Sequence, residues 1–186
     1  MVQIIPNAIT TLRLLLAIPI CISIYQGNEL LALILFVIAG FSDGLDGYLA
    51  RKFKWESEFG KLLDPLADKC LLLSTLLALA FTELLPIWLV SILLVRDGLA
   101  VMGSMLYLML FEGRSPESNR WGKYFTGWTI LLFFITLLQE SLHSNLQLFS
   151  LLYEIAVAGV LIFTALSAFY YFKEQGKEVY EYLFRG

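Results

Sequence analysis

Charge is what this sequence has least of. Only 16% of its 186 residues are Asp, Glu, Lys or Arg, against roughly 25% in an ordinary soluble domain, while 59% are hydrophobic. Histidine occurs once, as His143. Cysteine occurs twice, as Cys21 and Cys70, each inside an apolar run. That excludes a disulfide framework and a cysteine-based zinc site. Thirteen Lys and Arg against 16 Asp and Glu leave a net charge of −3, which excludes a nucleic-acid binder with a broad basic face. So apolar a chain is neither disordered nor collagen-like. Mean hydropathy is +0.75, and 186 residues cannot hide that much apolar surface without lipid. The composition points to a small all-α integral membrane protein.

A spanning helix needs about 20 mostly apolar residues. Six segments qualify as transmembrane helices: Ala8–Tyr25, Leu30–Ala50, Leu62–Phe81, Pro86–Phe111, Trp121–Gln139 and Phe149–Phe172. The breaks between them hold turn or polar residues, such as Gln26-Gly27-Asn28-Glu29 and the stretch from Gly113 to Asn119. None has room for a separate soluble domain, so residues 1–186 are expected to form a single membrane domain. The first span has no basic stretch before it and no small-residue cleavage site after it. It reads as retained, not as a signal peptide.

The scarce charges fix an orientation. Arg51, Lys52, Lys54 and Lys61 follow span two; Arg114, Arg120 and Lys123 surround the loop after span four; Lys173, Lys177 and Arg185 follow span six. The opposite connections hold Glu29, Glu83, Glu140 and His143, with no Lys or Arg. Positive charge stays on the cytoplasmic side, so both termini are expected in the cytoplasm. In a bacterium this would be the inner membrane.

Ionised groups inside apolar helices cost roughly 2.5–3.5 kcal/mol each at the bilayer centre on insertion scales. They persist where they face a cavity, a partner or a metal. Four of the five Asp, namely Asp43, Asp46, Asp64 and Asp68, fall within 26 positions and straddle the loop between spans two and three. Asp43 and Asp46 are spaced i, i+3, and Asp64 and Asp68 i, i+4, so each pair shares a helix face. Neighbouring antiparallel helices would bring the pairs together. Four such carboxylates repel unless cations neutralise them, and oxygen donors without His or Cys select a hard ion, Mg²⁺ or Mn²⁺. Four are enough for two ions, an arrangement suited to phosphoryl chemistry. Gly44, Gly47, Ala50 and Gly60 interleave with the acids, either to admit a ligand closely or to pack helices in lipid. Arg51 suits a phosphate or snorkelling to the interface.

The run Asp43-Gly44-Leu45-Asp46-Gly47-Tyr48-Leu49-Ala50-Arg51, followed by Gly60, Asp64 and Asp68, resembles the signature of the CDP-alcohol phosphatidyltransferases, with every fixed position filled at the family spacing. The opening Pro6-Asn7-Ala8-Ile9-Thr10-Thr11-Leu12-Arg13 extends the likeness. The resemblance implies a six-helix membrane enzyme, usually a homodimer, in which an alcohol attacks the β-phosphorus of a CDP-linked lipid such as CDP-diacylglycerol and CMP leaves. It implies that Asp43, Asp46, Asp64 and Asp68 hold two divalent ions and that Asp68 is the general base. It also implies that Gly47, Ala50, Arg51 and Gly60 lie along the CDP moiety, bordered by Asn7, Thr10 and Arg13.

The acceptor alcohol is less legible. Arg96-Asp97, about ten residues into span four, is either an internal ion pair or the floor of a polar cavity. Arg96, Arg114, Arg120 and Lys123 are the candidate acceptor-binding cations. The branch of the family that uses glycerol 3-phosphate is similar in this region but tends to carry Lys-x-Lys-Thr where this chain has Lys123-Tyr124-Phe125-Thr126, and Arg-Glu for Arg96-Asp97. The CMP-forming cardiolipin synthases look more like this chain at both places. Phosphatidylglycerol is therefore the expected acceptor and glycerol 3-phosphate the alternative. A cation transporter also places acids in membranes, but all four acids here lie at one boundary with no ladder across.

Overall fold

The computed structural model describes the backbone of residues 4–53, 58–110, 120–143 and 146–185, and the side chains of residues 11–42, 67–107, 109–110, 120–143, 146–171 and 173. These residues form six helices: α1 (Ile4–Tyr25), α2 (Glu29–Phe53), α3 (Glu58–Phe81), α4 (Ile87–Leu110), α5 (Arg120–Ser141) and α6 (Gln147–Arg185). Each expected span falls on one of them, and several helices run further than the apolar stretches. The largest difference is α6, which continues beyond Phe172 through the polar tail to Arg185. Hydropathy marks where lipid ends; a helix ends only where a breaker intervenes. No proline follows Phe172, and the tail is rich in Lys, Glu and Gln, which are good helix formers. At 39 residues α6 is roughly 58 Å long, about twice a bilayer's hydrocarbon core.

The described connections have local causes. Gly27 ends α1 at φ 68°, and Asn28 caps α2 through its Oδ1, which accepts from the Leu31 N–H at 3.3 Å. Glu83 at φ 60° reverses the chain after α3, with the Leu85 N–H donating to the Leu79 carbonyl at 3.1 Å. Within the helices, hydroxyls donate to the carbonyl four residues back. Ser23 does so to Pro19 at 2.7 Å, Ser91 to Ile87 at 2.8 Å and Thr129 to Phe125 at 3.0 Å. Such closure suits helices that cannot turn to water.

The chain divides into two compact units: Met1–Leu85 with Phe133–Phe149, and Pro86–Leu132 with Ser150–Gly186. In the first, α1 packs against both α2 and α3. Ala17, Ile20 and Ile24 of α1 are buried, as are Ala32, Leu33, Phe36 and Ala39 of α2, each set at helical spacing. The other face of α1 carries exposed Leu15, Ile18 and Ile22, where a soluble amphipathic helix would be polar. In the second unit, Trp121, Tyr124 and Trp128 of α5 gather around Phe163 of α6 with ring centroids 5.4–6.2 Å apart. Gly159 makes this possible: a Cβ there would lie 2.3 Å from the Trp128 ring. Along α4, Ile87, Val95, Leu99, Met102, Met105 and Met109 point outward.

Among the described residues, three helical stretches are long and apolar enough to cross a membrane: Ile87–Tyr107, Arg120–Ser141 and Gln147–Tyr171. Thr11–Tyr25 and Glu29–Ser42 are shorter apolar stretches.

Candidate active site

The backbones of α1, α2 and α3 carry the acid motif and the residues expected around it. The side chains of Asp43, Asp46, Gly47, Ala50, Arg51, Gly60, Asp64, Asn7 and Thr10 lie outside the described residues, and Arg114 lies outside them altogether. Two members of the expected site, Asp68 and Arg13, are described.

Asp68 sits about one turn after Asp64 on α3, next to the fully buried Ala67 and about one turn before the buried Leu71. Ala67 and Leu71 pack inward while the Asp68 side chain stays 45% exposed. Arg13, on α1, has a side chain with no exposure at all, and its Nη1 donates to Asp68 Oδ1 at 2.5 Å. A guanidinium buried among apolar helices needs a counter-charge, and the structure supplies it from the acid motif. The sequence places both residues in the same expected site. It gives no sign of their direct pairing, because the rotation of α1 against α3 decides which face of α3 Arg13 meets.

In the second unit Arg96 is held on three sides. Nη1 donates to Asp97 Oδ1 at 2.7 Å, Nη2 donates to Ser167 Oγ on α6 at 2.9 Å, and the guanidinium lies 3.9 Å above the ring centroid of Phe125 on α5. Phe125 is buried and Ser167 is fully buried. Arg96 also lines a cleft between α4 and α6, but that lining is almost wholly apolar, so of the two sequence alternatives the structure shows the ion pair and not a polar cavity. Ser167 had no signal in the sequence. Phe125 had one, read only as a position where a sister branch carries lysine. In the structure it is the ring beneath Arg96, where a second cation would face the first. Arg120 and Lys123, at the start of α5, are exposed.

Among the described residues no group of three or more His, Cys, Asp or Glu is placed to hold a metal ion. Asp68, the one acid of the motif whose side chain is described, is accessible, paired with Arg13, and offers the carboxylate oxygen that a hard divalent ion prefers.

Comparison with known proteins bears on the same region. A family model for CDP-alcohol phosphatidyltransferase matches residues 3–168. A probable CMP-forming cardiolipin synthase of Drosophila melanogaster is 44% identical over 94 residues, which cover 50% of this chain and 29% of the fly protein. The CDP-diacylglycerol–glycerol-3-phosphate 3-phosphatidyltransferase of Bacillus subtilis is 37% identical over 141 residues, covering 76% of this chain and 71% of that protein. The CMP-forming cardiolipin synthase of Streptomyces coelicolor is 41% identical over 93 residues, 50% of this chain and 42% of its own length. The chain therefore spans less than two thirds of the fly and Streptomyces proteins. With its three long apolar helices and a family match over most of its length, the chain is an integral membrane member of the CDP-alcohol phosphatidyltransferase family.

Proposed function

We propose that this chain is a phospholipid-synthesising enzyme that transfers the phosphatidyl group of CDP-diacylglycerol to a glycerol-type alcohol and releases CMP, with phosphatidylglycerol as acceptor. The observation that carries this reading is the completely filled Asp43–Asp68 motif inside the matched region. Residues 1–186 then act as one catalytic membrane domain.

In this reading Asp43, Asp46, Asp64 and Asp68 hold two Mg²⁺ or Mn²⁺ ions. Bound there, the ions neutralise the diphosphate and stabilise the departing CMP. Asp68 takes the proton of the acceptor hydroxyl, help worth roughly 10²–10⁴-fold. Arg13 holds the Asp68 carboxylate in place for that transfer. Gly47, Ala50, Arg51 and Gly60 lie along the CDP moiety, with Asn7 and Thr10 at its border. Arg96, Arg114, Arg120 and Lys123 attract the acceptor's phosphate. Six spans with both termini in the cytoplasm put the polar CDP head at the cytoplasmic boundary while its acyl chains stay in lipid. The Lys and Arg partition supports that orientation, and the enzyme works as a homodimer.

Phe125 and Asp97 favour phosphatidylglycerol, whose diester carries one charge where glycerol 3-phosphate carries close to two. The second reading, glycerol 3-phosphate, is favoured by the Bacillus alignment, the longest of the three quoted. Purified protein given CDP-diacylglycerol with each acceptor in parallel separates them by the lipid formed. Cardiolipin supports the first reading, phosphatidylglycerophosphate alone supports the second, and no CMP with either acceptor ends both.

A further inference from the structure

The exposed side of α6 follows one line from inside the membrane to well beyond it. Leu151, Ile155, Ala158, Ile162, Ala165 and Phe169 are all exposed, at alternating steps of four and three residues. The opposite side is occupied: Ala156, Val160 and Ser167 are buried, and Gly159 lies against Trp128. Past Tyr171, where the apolar stretch ends, the same steps fall on Phe172, Gly176, Val179 and Leu183.

Lipid accounts for neither end of this line. Lys173–Arg185 extends α6 by about 20 Å without a break. Its charged residues, Lys173, Glu174, Lys177, Glu178, Glu181 and Arg185, all occupy positions off the line. An apolar line on a helix that has left the bilayer marks a surface for another helix. Inside the membrane, Glu154 is exposed beside Leu151 and Ile155, about 10 Å into the stretch that begins at Gln147. Among the described residues it has no hydrogen-bonding or ionic partner. Carboxyl groups at such depth face protein or water, not acyl chains.

The spacing selects the partner. Steps of three and four repeat every seven residues, and on a straight helix such a line drifts by about 20° per heptad. It stays closed only against a second helix that supercoils with it and carries the same repeat. Leu151 to Leu183 spans more than the roughly three to four heptads that mark a coiled coil. With its flanking positions the line presents about 20 residues, the lower end of the roughly 20–30 a side in a stable interface. Ala158 and Ala165 let two backbones approach within the membrane. A second copy of this chain supplies the matching repeat, and two copies inserted the same way run parallel.

We infer that α6 pairs with α6 of a second copy in a parallel, left-handed coiled coil from Leu151 to Leu183, with Glu154 at its edge. The inference rests on the homodimer of the proposed function and names the interface that holds it.

The test uses the full chain carrying Cys21→Ala and Cys70→Ala, in phosphatidylcholine vesicles with lipid in large excess, with one new cysteine at a time. Mild oxidation should link Ala158→Cys and, separately, Ala165→Cys into covalent dimers. Met102→Cys on the outward side of α4 and Ile18→Cys on that of α1 should stay unlinked. Val179→Glu/Leu183→Glu puts charge on the line beyond the membrane, away from the proposed catalytic and binding residues. Association, counted by single-molecule photobleaching of labelled chains, should weaken in that variant by about tenfold or more. No link at either alanine position, or a charged variant that associates as well as the unaltered chain, would overturn the interface. A dimer that links only through Met102→Cys or Ile18→Cys overturns the α6 interface and leaves the homodimer standing. A chain that stays monomeric ends both.

Discussion

Two arginines lie deep among apolar helices, and their charges are balanced in different ways. Arg96 is neutralised by its neighbour in sequence, Asp97, before any tertiary contact forms; Ser167 and Phe125 then tie it to α6 and α5. Arg13 is paired with Asp68, 55 residues away, on another helix and within the acid motif. In the first unit, therefore, packing and the acid motif share a residue. In the second, the charge is settled locally and the helix contacts are additions to it. Changes at Arg13–Asp68 should move stability and activity together, while changes at the helix contacts of the second unit, Ser167 and Gly159, should move stability alone.

The largest effect is expected from Asp68→Asn. Loss of the general base lowers kcat by about 10²–10⁴-fold, read as CMP release. The same change takes the Asp68 carboxylate away from the buried Arg13, at a cost of up to about 3–5 kcal/mol in unfolding experiments. The double variant Arg13→Met/Asp68→Asn separates the two consequences. It removes the buried cation as well, so stability should recover by about 1.5–3 kcal/mol over Asp68→Asn while activity stays lost. A double variant that regains activity would break the coupling argued for this unit.

Smaller effects belong to the second unit. Gly159→Ala drives a methyl group into the Trp128 ring, which cannot swing away as a flexible chain would. It should cost about 1–3 kcal/mol with kcat unchanged. Ser167→Ala removes one interhelical hydrogen bond, and in membranes these average only about 0.6 kcal/mol, so a small shift in unfolding midpoint and an unchanged rate are expected. A fall in kcat for Ser167→Ala would erase the contrast between the two arginines.

Six helices were readable because apolar runs of spanning length are interrupted by short polar turns, as at Gln26–Glu29. The end of α6 was not, since hydropathy reports the surrounding medium and is silent about Lys- and Glu-rich helix in water. The acid motif was readable from spacing alone, because i, i+3 and i, i+4 fix a face within one helix. Which residue of another helix meets that face depends on rotation and crossing, so Arg13–Asp68 emerged only in three dimensions. The same holds for Phe125. Sequence comparison marked the position for what it lacks, and the structure shows the ring serving as the platform under Arg96.

In the proposed reaction, transfer from CDP-diacylglycerol runs on metal ions gathered by the four aspartates. The most direct measurement is CMP release by the purified chain with CDP-diacylglycerol and phosphatidylglycerol, first with excess chelator and then after Mg²⁺ or Mn²⁺ is restored. No release is expected under chelation and full recovery on adding either ion, with no recovery in Asp68→Asn. Release that continues undiminished under chelation would contradict it.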